Sequence, residues 1–448
     1  MTKRIGINKI LIFVISLLVL ALTLFSCGMT SQSIMSLMGH VGFEYEIDEA
    51  QGAVTITGIG TYKHEWIIIP EKIEGYPVTA IGDYAFMNNS NITTINFPYT
   101  LEYIGIGAFY NCTNLLGVVN FEHSKVTHIQ DYAFQDCTNL SEIQLPNTVI
   151  SIGNHAFENS GIVDFTFSNN LQTIGDYAFV GCYYMQTVEL PNTLTSIGKG
   201  AFENCQSIEK IEIPSGVKKI EEKTFHLCNS LNTVVLYEGL QCINYRAFAQ
   251  CTSLESIDIP STVDTIGSYS FYYCTALANI NINNGVNKVD DCAFACSNAS
   301  EIYVPQSVTH LGVYAFYSTS LQGIDVDENN SVYYSKDGAV YNKDTLSILS
   351  YPSGTNKVSF TIPGGIENIE MLTFAGTGLE ILNIPRSVVK IDDGVIRRSY
   401  SLITINYDGT VSEWLAIQKE NYWDFESAEY TIYCSDGQIA KDGTVTYN

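Results

Sequence analysis

Twelve phenylalanines in this chain share one frame. Phe86, Phe109, Phe134, Phe157, Phe179, Phe202, Phe225, Phe248, Phe271, Phe294 and Phe316 follow one another at 22, 23 or 25 residues, and Phe374 comes 58 later. Ala, Ser or Thr precedes each of the twelve, and an aliphatic residue stands five before each: ten Ile, Val289 and Leu311. Gly follows that aliphatic residue in seven copies, and Pro closes the preceding apolar run at Pro98, Pro146, Pro191, Pro214, Pro260, Pro305 and Pro385. A fixed period of this length marks a stacked array, and that constraint outranks every local propensity in the chain.

One unit reads L-x-x-I-x-I-P-x-x-V-x-x-I-G-x-x-A-F-x-x-C. The I-x-I segment, as in Ile211-Glu212-Ile213, alternates with period two and predicts a short strand with one buried face. Pro ends it, because Pro cannot donate to a ladder. The next apolar residues turn the chain back to the core, and Gly is expected to permit the bend. Ala-Phe then starts a short helical or irregular return with Phe as core filler. One unit cannot bury its own apolar face; stacked units bury a continuous one. The expected fold is an α/β solenoid of about 12–13 units, with parallel strands on one face, returns on the other, and a cap at each end.

These residues resemble the BspA-like leucine-rich repeat family over about residues 41–440. The resemblance divides the chain into a leader (1–27), a tether (28–40), an N-terminal cap (41–80), repeats (81–325), a hairpin-like interruption (326–360), final repeats (361–402) and a C-terminal cap (403–448). The hairpin is expected to turn at Asp337-Gly338. Trp66, Trp414 and Trp423, the only tryptophans, fall in the expected caps, where large irregular fillers would close an open core end.

The leader has Lys3, Arg4 and Lys9 before an apolar run from Ile10 to Phe25, then Ser26-Cys27-Gly28. This is the layout of a secretory signal. The Cys after a small residue resembles the bacterial lipobox, which implies lipidation at Cys27 and an exported, envelope-anchored chain. An ordinary signal peptide and an uncleaved anchor are the competing readings. No other apolar stretch is long enough to span a bilayer.

Charge narrows the partners. Lys and Arg number 22 against 47 Asp and Glu, a net charge of −25. Nucleic acid, which demands Lys and Arg, is argued against. So is electrostatic docking on anionic lipid, leaving membrane contact only through the N-terminal anchor.

The frame also tests for chemistry, because a recurring slot is structural. Seven Cys stand three after their Phe: Cys112, Cys137, Cys182, Cys205, Cys228, Cys251 and Cys274. Seven equivalent thiols suit buried small side chains better than a catalytic nucleophile. Disulfides between neighbouring rungs are the alternative. No C-x-x-C, H-E-x-x-H or phosphate-loop fingerprint occurs, so neither cofactor nor metal is expected. The four His near the frame (His128, His155, His226, His310) read as exposed surface residues. Asp325–Asn330 lacks the Gly and closing Glu of a calcium loop.

Two variable columns remain as candidate binding surface. The outward strand slot holds Asn96, Gln144, Thr166, Glu189, Glu212, Val235, Asp258, Asn281, Tyr303, Asp325 and Asn383. The slot two before Phe holds Tyr84, Tyr132, Tyr177, Tyr269 and Tyr314. Surface aromatics suit protein or carbohydrate recognition; packing on neighbouring rungs is the structural alternative. The expected function is a non-enzymatic cell-surface binding protein, with the resemblance implying adhesion or host-protein interaction. A carbohydrate or cell-wall binding module in nutrient capture is the second reading. The partner is an extracellular protein or glycan.

Overall fold

A computed structural model describes residues 42–120, 123–318 and 320–448. The leader with Cys27, and the 28–40 tether, lie outside the described residues. The chain divides into two compact units, up to Ile162 and from Val163.

In the first unit Glu44–Asp48 pairs antiparallel with Ala53–Gly58. Parallel pairing then runs through Tyr76–Ile81, Tyr103–Ile104, His128–Ile129 and Ser151–Ile152. A second parallel set joins Trp66–Ile68 to Thr94–Asn96, and Gly117–Asn120 to Leu140–Gln144.

The second unit repeats the plan. One ladder runs Lys219–Ile220, Cys242–Ile243, Thr265–Ile266, Lys288–Val289, His310–Leu311. The other pairs Lys210–Glu212 with Thr233–Val235, Ser256–Ile259 with Asn279–Ile282, and Glu301–Val304 with Gly323–Val326. An antiparallel hairpin, Tyr333–Lys336 with Ala339–Asn342, interrupts it. Asp337 and Gly338 both have positive φ there, as a two-residue turn of matching twist requires. Parallel pairing resumes from Ser359–Thr361 through Ile381–Ile384 and Thr404–Tyr407 to Thr431–Cys434. Among the described residues the α-helix is Val411–Ala416, closed by a Thr410/Glu413 capping box.

The architecture is therefore a parallel solenoid with two short ladders per turn. The aliphatic residue five before Phe centres the second ladder, a role the sequence reading did not give it. The returns are not helical. Their backbone alternates: residues two before and two after Phe have positive φ in rung after rung, as at Tyr177 and Gly181, Gly200 and Asn204, Arg246 and Gln250. Alternation aims every second amide along the stack. Phe202 N donates to Thr224 O at 2.9 Å, and Asn204 N to His226 O at 2.7 Å. The alternate amides close four-residue turns within their own rung, as Glu203 N does on Gly200 O and Cys205 N on Phe202 O. The backbone is thus satisfied without a helix.

The recurring side chains form columns. Within the second unit the rings of Phe179, Phe202, Phe225, Phe248, Phe271 and Phe294 stack in succession, centroids 5.1–5.5 Å apart and planes within 9° of parallel. The seven ladder cysteines are buried. The thiols of Cys112, Cys137, Cys205, Cys228, Cys251 and Cys274 do more than fill space. Cys228 Sγ donates to Phe202 O of the preceding rung at 3.2 Å, and Cys251 and Cys274 repeat the contact on Phe225 O and Phe248 O. Ser399 Oγ makes the same bond to Phe374 O at 2.7 Å, which is why small donors share the slot. Burial pushes the Cys112, Cys228 and Cys274 thiols up to about 12.

The glycine expectation needs correction. Gly105, Gly153, Gly198 and Gly312 do not lie in the left-handed region. They are small because the preceding rung comes close: a Cβ at Gly198 would lie 2.5 Å from Asp176 N and 2.6 Å from its Oδ1. The same Asp176 Oδ1 accepts from Lys199 N at 2.8 Å. Asp83 with Gly105, Asp131 with Gly153, and Asp291 with Gly312 repeat this pair. An Asp in one rung is thus accompanied by a Gly in the next, where the backbone itself comes too close for a Cβ.

Candidate recognition surfaces

The outward strand slots face solvent. Glu212, Asp258, Tyr303 and Asp325 are all exposed on their strands, with buried Ile, Val or Leu on either side. Side chains link along this face. Lys210 Nζ lies 2.6 Å from Glu212 Oε1, and Tyr237 donates to Glu212 Oε2 at 3.3 Å. Asn281 and Asn283 both donate to Asp258 Oδ1 at 2.8 Å. Tyr303 donates to Asp327 Oδ2 at 2.6 Å, which holds Asp327 below the usual carboxylate range.

Besides a hollow between 256–258 and 278–281, two more open along the face. Glu189 and Glu212 line one, between 186–190 and 209–212. The run 186–190 forms no ladder although Val188 is buried, so this strand expected from the I-x-I pattern is missing. The second hollow is bounded by Glu301, Tyr303, Ile324 and Asp325 on strands and by Ser335–Gly338 at the hairpin tip. Ile324 N donates to Gly338 O at 3.1 Å, and Ser335 Oγ to Asp325 Oδ1 at 3.1 Å. The hairpin therefore walls the strand face. Sequence signalled its turn but not the surface it packs on, since the two contacts lie 10 and 14 residues apart along the chain and depend on the return angle.

The tyrosine column does not form one surface. Tyr84 and Tyr177 lie over the glycines of the following rungs: a Cβ at Gly107 or Gly200 would fall 2.5 Å from the ring. Tyr132 stacks on His155, centroids 5.1 Å apart. Tyr314 packs on Tyr317 at 4.6 Å and is half-buried. Tyr269 differs, sitting in a wider aromatic group with Tyr245 and Tyr272 at 5.8 and 5.5 Å. Tyr84 and Tyr132 belong to the first unit, the other three to the second. Every one of the five has positive φ.

His128 and His310 are exposed as expected, but the other two are less so: His226 Nδ1 lies 2.9 Å from Glu203 Oε1 in a half-buried pair, and His155 pairs with Glu158 at 2.6 Å. Among the described residues no group of three or more His, Cys, Asp or Glu is placed to hold a metal. No helix of the described residues is long and apolar enough to cross a membrane.

The model of the BspA type leucine rich repeat region matches residues 60–183, 151–263, 241–360 and 351–415. The chain belongs to that family. Solved structures place the BspA-type fold in context. A leucine-rich repeat protein from Bacteroides ovatus is 23% identical, with a TM-score of 0.61 over 88% of this chain and 98% of its own. A leucine rich cell surface protein from Faecalibacterium prausnitzii is 19% identical, with a TM-score of 0.40 over 85% and 97%. No curated protein matches the chain.

Proposed function

We propose that this BspA-type chain is a non-enzymatic binding protein of the bacterial cell surface. It is held there by lipid on Cys27 and presents its strand face to an extracellular protein in adhesion or host interaction. Repeat solenoids use such faces for binding, because variable outward slots sit on an invariant scaffold. The observation that carries the reading is the hollow at Glu301, Tyr303, Asp325 and the hairpin tip. Non-recurring residues from three sequence segments converge there, and nothing in the stacking logic requires them.

The test is capture of extracellular proteins on the purified chain, compared with a variant carrying Glu212→Lys, Asp258→Lys and Tyr303→Ala. These exposed residues can change within about 0.5 kcal/mol of stability each. A partner that is retained by the parent and lost by the folded variant supports the strand face. Equal retention by both removes it. Glycan binding has a separate observation in its favour, on the return side.

A further inference from the structure

Arg246 is anomalous in a chain of net charge −25. Arg386, Arg397 and Arg398 each pair with a glutamate, Glu413 for the first and Glu426 for the other two. Arg246 makes no ion pair within 4.0 Å among the described residues. Its guanidinium instead lies over two rings, 5.1 Å from the Tyr245 centroid and 5.6 Å from Tyr269. Its Nε is buried without a hydrogen-bond partner. An unsatisfied buried donor in a native structure calls for an explanation.

The neighbourhood leaves the guanidinium without an acid. Lys223 occupies the same slot one rung earlier and likewise has no carboxylate within ion-pair distance among the described residues. Of the nearby acids, Glu221 Oε2 is held by Asn244 at 2.9 Å, Glu222 lies 4.0 Å from Lys199, and Asp291 Oδ1 accepts from Val313 N at 2.8 Å. Tyr272 and Tyr273 extend the aromatic group past Tyr269, and Tyr245 and Tyr273 are exposed. Lys223 and Arg246 thus hold one slot on successive rungs, Lys223 N donating to Tyr245 O at 3.0 Å, beside a group of four tyrosines.

We propose that Lys223, Arg246, Tyr245, Tyr269, Tyr272 and Tyr273 form a binding site for an acidic polysaccharide, one whose sugars carry carboxylates. With Nε buried, the two Nη groups are the paired N–H donors that would meet a carboxylate, and stacking on aromatic rings holds their plane ready. Tyrosine rings take the C–H faces of sugars, which a polyglutamate chain lacks. Lys223 meets the next carboxylate along the stack as a point charge. This site is separate from the strand face, so either can fail without the other.

Binding of the purified chain to polygalacturonate, to the same polymer with its carboxyls reduced to alcohols, and to polyglutamate decides the matter. Arg246→Gly is the informative variant, because Gly107 and Gly200 show that this left-handed slot accepts glycine. Polygalacturonate should bind, weaken with salt, and lose at least tenfold on Arg246→Gly with an unchanged melting temperature. Arg246→Lys should lose a smaller factor, since it keeps charge without the fork. The reduced polymer should bind at least tenfold more weakly than its parent. No binding, equal binding of the reduced polymer, equal binding of polyglutamate, or affinity unchanged by Arg246→Gly would each overturn the site.

Discussion

Phe225→Ala should lower the stability of the second unit by about 3–5 kcal/mol, the range for emptying a buried aromatic site. Phe225 is 0% exposed and stacked 5.5 Å from Phe202 and 5.3 Å from Phe248. The flanking rings cannot close the gap, because backbone bonds fix the rungs. Phe225 N donates to Ala247 O and Phe202 N to Thr224 O. Aromatic stacking adds about 0.5–1.5 kcal/mol per pair beyond area, and one substitution removes two pairs. In a solenoid such losses act between nearest neighbours, so the effect should be felt as a break within the array. Chemical denaturation followed by circular dichroism measures it; a loss under about 1 kcal/mol would mean the ring column does not hold the rungs.

Gly198→Ala should cost about 2–3 kcal/mol, in the range of overpacking a close contact. The added methyl meets backbone atoms, Asp176 N and Gly175 C, each at 2.5 Å, and backbone cannot rotate away. Removing the aspartate side chain should therefore not rescue it: Asp176→Ala with Gly198→Ala should remain at least as unstable as Gly198→Ala alone. Gly378→Ala is the control, with open space around the site and no left-handed backbone, and should stay within about 0.5 kcal/mol of the parent. Equal melting temperatures for the two single variants would refute the close-approach account of these glycines.

Much of this was legible in the sequence, and the reasons differ by slot. The Phe and Cys columns were readable because stacking brings identical positions into contact, so period alone places them. The left-handed slot two after Phe also left a trace, in Asn88, Asn111, Asn159 and Asn204, since Asn tolerates positive φ. Its partner slot two before Phe concealed the same geometry under tyrosines, whose rings gain cover from the next rung. The Asp–Gly pairing between rungs could be found only by comparing one unit with the next. Ile396 replaces Phe in a further rung, with Gly394 and Ser399 in the flanking slots, and escaped a frame defined on Phe. The Arg246 site was invisible because its meaning lies in what is missing nearby: a carboxylate partner.

One division organises the chain: recurring slots are buried scaffold and variable slots face outward. Native-state thiol alkylation, read by peptide mass spectrometry on a Cys27→Ser chain at pH 8, tests it most directly. Cys112, Cys137, Cys182, Cys205, Cys228, Cys251 and Cys274 are buried, whereas Cys242, Cys292, Cys296 and Cys434 are part-exposed. Reactivity follows thiolate fraction and access. Burial lifts the Cys205 and Cys251 thiols well above the usual range and also raises Cys242, Cys292, Cys296 and Cys434, so access is what separates the two sets. The second set should be fully labelled while the seven ladder thiols remain unmodified until the chain is denatured. Ladder thiols alkylated at the same rate as Cys292 and Cys296, or linked to one another as disulfides, would contradict the stacked register.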